Sequence, residues 1–198
     1  SENTEYALLF NHGGFDFDLS FSEPEPQLRA SDLIISEYGE GTNYNRWIEI
    51  YNGTDSDISL SGYSLRYNIS GTSWSTMINL SGTIGSNETY VVVDSWASST
   101  YQAYADAAVY LDYDGDDAVG LFKDGNLIDI FGVYNEDPGT GWTVNGTTNA
   151  TAGHVLVRSS SSYEPTTTWV PSDWTVLNNE DYSNLGEHVT DLDFSGTS

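Results

Sequence analysis

The sequence has no cysteine, which excludes disulfides and thiolate-held metal sites and leaves packing and hydrogen bonds to hold the fold. Cations are nearly as scarce. Five Lys and Arg stand against 30 Asp and Glu, for a formal net charge of −25. The five are Arg29, Arg46, Arg66, Lys123 and Arg158, and no two are adjacent. Binding to nucleic acid or an anionic membrane needs clustered cations that displace counterions from phosphates, so neither is an expected partner. No run is long and apolar enough to span a membrane, and no export signal is visible. Heptads are missing, as are repeats of about 20 to 50 residues, which argues against coiled coils and solenoids. The first residue is Ser1 rather than Met, which fits a mature chain whose export signal has been removed and fits equally a chain cut from a tag.

What the chain does have is aromatic and apolar residues, at 14% and 38% of 198 residues. That is enough to bury the core of one domain carrying an ordered arm. Short β-type runs separated by turn clusters dominate from Leu33 onward. Leu33–Ile35, Trp47–Tyr51, Tyr63–Tyr67, Met77–Leu80 and Tyr90–Val93 read as strands, with Gly39 to Asn45 as a loop. Ala118–Lys123 and Leu127–Phe131 read as a hairpin closed by Asp124-Gly125-Asn126, followed by Val155–Arg158 and Trp174–Val176. Many short strands with Gly, Asn and Asp at the turns point to an antiparallel sandwich or barrel. Ser99 to Val109 is the one stretch that could hold a short helix.

The first 30 residues differ. Phe15, Phe17, Leu19 and Phe21 alternate with Asp16, Asp18 and Ser20, which in an extended chain puts four large apolar side chains on one face. Glu23-Pro24-Glu25-Pro26 follows as a stiff spacer. Such a strand needs a burial partner. It either folds back on an edge of its own sandwich or adds to a neighbouring copy.

Several segments carry a family likeness. Leu33 to Gly41, Trp47 to Asn52 and Ile58 to Leu65 resemble the opening of lamin tail domains. The likeness returns at Gly115 to Leu121, Leu127 to Gly132, Asp137 to Trp142, His154 to Arg158 and Leu185 to His188. It spans roughly Asp32 to His188 in the family's order. The resemblance implies an all-β, immunoglobulin-like antiparallel sandwich, here with an N-terminal extended β arm. The expected division is an arm and spacer over 1–30, a sandwich over 31–189 and a C-terminal tail over 190–198. Bacterial relatives commonly sit beside secreted hydrolases as tethering or recognition modules, so the resemblance implies no catalysis of its own.

The best candidate for a site is the acidic run Asp112-Tyr113-Asp114-Gly115-Asp116-Asp117. Alternating Asp oxygens around a glycine can hold Ca²⁺, and the same residues can equally cap the amides of a turn. The candidate ligands are Asp112, Asp114, Asp116 and Asp117. His12, His154 and His188 are far apart and in no metal-ligand spacing. There is no Gly-X-Ser-X-Gly, no phosphate loop and no His-Glu-X-X-His, and Gly39-Glu40-Gly41 lacks the third glycine of a dinucleotide fingerprint. No enzyme and no organic cofactor is expected, with Ca²⁺ the sole candidate ion. Asn52, Asn68, Asn79, Asn87, Asn145 and Asn149 sit in glycosylation triplets. Trp74, Trp96, Tyr101, Tyr104, Tyr110 and Tyr113 fall in or near loops as a candidate binding platform, whereas Trp47, Trp142 and Trp174 are expected in the core.

The expected function is that of a secreted or cell-surface structural protein. Its arm would join copies into a homopolymeric filament or surface layer, with Phe15, Phe17, Leu19 and Phe21 filling a groove on the next subunit. The alternative is an accessory module of a secreted hydrolase, binding a glycan or a surface protein.

Overall fold

A computed structural model describes residues 28–75 and 77–192. The expected arm, with Phe15, Phe17, Leu19 and Phe21, lies outside the described residues, as does His12.

The chain opens with β1 (Ile34–Glu40) and β2 (Arg46–Tyr51), an antiparallel pair. In β2, Ile48 and Ile50 enter the main core while Trp47 joins a second apolar cluster on the other face. This period-two alternation makes the strand apolar on both sides. After β3 (Ile58–Ser59) come β4 (Tyr63–Asn68), β5 (Met77–Asn79), β6 (Thr83–Ile84) and β7 (Thr89–Asp94). A single helical turn, α1 (Ser99–Gln102), then leads to β8 (Ala107–Val109). The helix expected over 99–109 is therefore confined to four residues, and its second half pairs in parallel with β7. Next come β9 (Ala118–Lys123) and β10 (Asn126–Phe131). Their turn places Asp124 and Gly125 at φ 49 and 80, the left-handed geometry that makes Asp-Gly a preferred hairpin loop. The order closes with β11 (Val155–Arg158) and β12 (Trp174–Leu177).

Two sheets face each other. One runs β12-β11-β1-β2-β7-β8 and the other β10-β9-β4-β5, with β3 and β6 forming a small ribbon. The core between them is rich in rings: Tyr38 stacks on Phe131 at 4.0 Å, and Tyr113 lies edge-on to Tyr67 at 5.4 Å. This is an antiparallel sandwich in which, among the described residues, β7–β8 is the one parallel ladder.

The larger sheet is also covered on its outer face. Trp47, Val91, Val93, Tyr101, Val155 and Leu185 pack there, drawn from β2, β7, α1, β11 and the segment after β12. That segment acts as a strap, held by a 2.7 Å bond from Gly186 N to Glu49 Oε2.

Strand directions define two ends. β1, β7 and β8 finish where β2, β9 and β11 start, so the 41–45, 95–98 and 110–117 loops share one end. At the opposite end Ala30 N donates to Gly53 O at 3.0 Å and Asp191 N to Ser160 O at 3.0 Å. The described chain therefore enters and leaves at one end of the sandwich. The 41–45, 95–98 and 110–117 loops gather at the other.

Candidate aromatic binding face

Three loops at the end away from Ala30 and Asp191 present rings to solvent. Trp96 is 70% exposed, Tyr110 52% and Tyr44 46%. The Tyr44 and Trp96 rings lie 5.9 Å apart at 44°, and the Arg46 guanidinium sits 5.7 Å from the Tyr44 ring. Tyr110 Oη donates to Asp112 Oδ1 at 3.1 Å. The hydrogen bond to that carboxylate, together with its charge, holds the Tyr110 hydroxyl above its ordinary value.

The backbone beneath is fixed. Asn45 N bonds to Thr42 O at 3.1 Å, closing a turn in which Asn43 and Tyr44 have φ of 53 and 65. Glycine is the usual occupant of such positions, and a bulky residue there is an outlier. Asp94, with no exposure, accepts from Trp96 N at 2.7 Å and from Leu111 N at 3.0 Å. Arg46 Nη1 donates to Leu111 O at 3.1 Å, and Ser98 N donates to Asn45 Oδ1 at 2.9 Å. All three loops are thus tied to one another through Asp94, Arg46 and Asn45. Such cross-ties hold the rings in place before any ligand arrives.

Reading loop position as exposure fails for two of the six platform candidates. Tyr101 and Tyr113 are buried. Tyr101 stacks on Trp47 at 4.8 Å, and the Tyr113 hydroxyl reaches Gly39 O at 2.7 Å and Trp47 O at 2.9 Å. A loop ring with a satisfied hydroxyl serves as a core wall. Trp74 is half-buried and stacks on Tyr134 at 4.9 Å, while Tyr104 is exposed near the strap, 6.1 Å from Tyr182. Trp47, Trp142 and Trp174 are buried as expected. Tyr44 was missed by the sequence reading, and the signal it offers is weak: Thr-Asn-Tyr-Asn lacks the glycine that marks a left-handed turn.

The acidic run divides. Asp114, Asp116 and Asp117 bring carboxylate oxygens within 4.8 Å of one another, and Asp112, expected with them, stands outside the group and accepts from Tyr110. Asp117 uses both oxygens on backbone, accepting from Ser70 N at 2.8 Å and Asp114 N at 3.1 Å. Partial burial, then the hydrogen bond and like charge of Asp114, push Asp116 up to about 7. These carboxylates cap a turn, and the arrangement leaves Asp114 and Asp116 with capacity for a cation.

Two of the candidate glycosylation residues are closed off. Asn52 has no exposure and its Nδ2 donates to Ser56 O, Ile84 O and Gly85 O, the nearest at 2.8 Å. Asn68 is equally buried and its amide bonds Thr72 O and Asn135 N. Asn145 is exposed, with Nδ2 on Trp174 O at 2.7 Å. Asn79 and Asn87 are exposed and Asn149 is half-buried. The two described histidines are not brought together. His154 Nδ1 lies 2.9 Å from Ala152 O, and His188 packs 4.9 Å from the Tyr51 ring, where burial pushes it down to about 4.

A comparison with curated proteins returns no match. The sequence model of the Lamin Tail Domain family matches residues 26–135, more than half of the 198-residue chain and the whole of β1 to β10. With that match on an all-β sandwich of the expected kind, the chain belongs to the lamin tail domain family.

Proposed function

We propose that this domain is a non-catalytic extracellular binding module that holds a surface partner with the Tyr44–Trp96–Tyr110 end. The supporting observation is the pairing of exposed rings with locked loops. Clustered exposed aromatics lose free energy to water unless something covers them, and rigid placement lowers the entropic cost of covering them. The polarity of the described residues agrees, since Ala30 and Asp191 lie at the end opposite the three loops. Binding of the domain to the envelope fraction of its producing organism tests this. Replacing Tyr44, Trp96 and Tyr110 by Ser should reduce retention at least tenfold with the fold intact. Equal retention would overturn the reading.

Self-assembly through the N-terminal arm is a second reading. It is favoured by the outer face of the β10-β9-β4-β5 sheet, where Met77 and Tyr134 are exposed beside Trp74 and Phe122. That face offers apolar surface to Phe15, Phe17, Leu19 and Phe21 of another copy. Sedimentation of the full chain beside a version starting at Leu28 decides it. Oligomers that vanish on shortening support assembly, and monomers in both samples refute it.

A further inference from the structure

We propose that the ligand of the aromatic end is an uncharged oligosaccharide, its sugar rings laid against Trp96 and Tyr44. This rests on the binding-module reading above and names the chemical class of its partner.

Size separates the classes. A fully buried aromatic side chain covers about 150–250 Å², so three half-exposed rings offer on the order of 300 Å². An ordinary protein interface needs roughly 800 Å² on each partner. A short run of sugar residues fits the smaller patch. Pyranose rings present C–H bonds along their faces, and these lie well on the electron-rich face of an indole or phenol. The tilt of 44° between Tyr44 and Trp96 makes a shallow wedge instead of a flat plate, which suits a chain whose successive rings turn relative to one another.

Hydroxyl recognition needs polar groups between the rings, and they are present. The Asp112 carboxylate accepts one hydrogen bond from Tyr110 and keeps capacity for more, the Tyr44 hydroxyl can donate and accept, and the Tyr110 hydroxyl, its proton given to Asp112, can accept. Charge excludes the acidic sugars. A net charge of −25 and the Asp112 carboxylate at the site repel uronates, sulfates and phosphates. Arg46, the cation beside these rings, donates from Nη1 to Leu111 O and lies against the Tyr44 ring, and it is a single positive charge within a strongly negative surface.

Tyr44 adds an independent sign. Its φ of 65 is a conformation that glycine adopts freely and tyrosine resists. Strain of this kind gathers at binding sites, where the side chain repays it through the ligand.

Intrinsic fluorescence and calorimetric titration of the full chain with neutral hexasaccharides test the proposal. The panel covers β-1,4-glucan, xylan, α-glucan and mannan, beside an oligogalacturonate. At least one neutral member should bind, the acidic one should not, and Trp96→Ser should weaken the affinity at least tenfold with an unchanged melting midpoint. Tyr44→Gly should weaken it severalfold while leaving the domain folded. No neutral binder at millimolar concentration overturns the proposal, and so does binding that Trp96→Ser leaves intact. Competition separates the two levels. Envelope retention that depends on the rings but resists neutral oligosaccharides sinks the glycan proposal and leaves the binding module standing. Retention indifferent to the rings removes both.

Discussion

Tyr44 shows how a single residue can be placed against local preference. A left-handed backbone costs an L-residue roughly 1–2 kcal/mol, and glycine largely escapes that cost. The ring offsets part of it through its contacts with Trp96 and Arg46. Tyr44→Gly is therefore expected to stabilise the domain by about 0.5–1 kcal/mol in chemical denaturation, although it deletes a large side chain. A loss of stability would mean that the ring is held for packing. The same residue marks a limit of sequence reading, because nothing in Thr-Asn-Tyr-Asn announces a positive φ at Tyr. Tyr113 marks a second limit. Its neighbours are acidic and loop-like, yet its hydroxyl finds two backbone carbonyls in the interior. The burial of Trp47 and Trp142 was legible because each sits in a family-like motif.

At the scale of elements, the β1–β2 pair and the strap over it carry the most unusual chemistry. Glu37 and Glu49 are cross-strand partners, both buried. Trp47 Nε1 donates to Glu37 at 2.7 Å, and Ser36 Oγ donates to Glu49 at 2.7 Å. Glu37 Oε2 has no partner. Gly39 lies opposite Trp47 because any Cβ there would come within 2.2 Å of the indole. Burial, then the neighbouring Glu49 charge, pushes Glu37 up to about 8, and burial pushes Glu49 up to about 7. From the ordinary value of 4.5 upward, the unfolded chain releases protons that the folded chain keeps. The stabilisation is full below pH 4.5 and is lost as pH rises towards 8. His188 acts in the opposite sense, but only between about 4 and its ordinary 6.5. Asp116, half-exposed and raised to about 7, adds a smaller decline of the same sign as the glutamates. The melting midpoint is thus expected to fall between pH 6.5 and 8, and Glu37→Gln should flatten most of that fall and raise the midpoint at pH 8. An unchanged slope in this variant would place the titration elsewhere. The longer strands were legible as β-type runs between turn clusters, whereas β3, β6 and β8 span two or three residues each. That is too short for any periodicity to register, and tertiary pairing alone creates them.

For the whole molecule, the sandwich and its family could be read in the sequence, but its polarity could not. Which loops share an end follows from strand direction and register, and these are fixed by pairings between distant segments such as β1 with β11 and β2 with β7. Charge acts at this scale too. A net charge of −25 opposes the compact state by self-repulsion, and salt shortens the reach of that repulsion from about 10 Å at 0.1 M to about 3 Å at 1 M. Among the described residues the ion pairs are Lys123 with Asp32 and the buried Arg158 with Asp129. Salt therefore has few favourable contacts to weaken and much repulsion to relieve. Raising NaCl from 0.1 to 1 M should lift the melting midpoint by several degrees, and KCl should do the same. Calcium at matched ionic strength provides the contrast. A larger rise with millimolar CaCl₂ than with MgCl₂, abolished by Asp114→Asn with Asp116→Asn, would assign part of the effect to the acidic turn. A midpoint that is flat in NaCl would mean that the carboxylates are spaced widely enough to coexist unscreened.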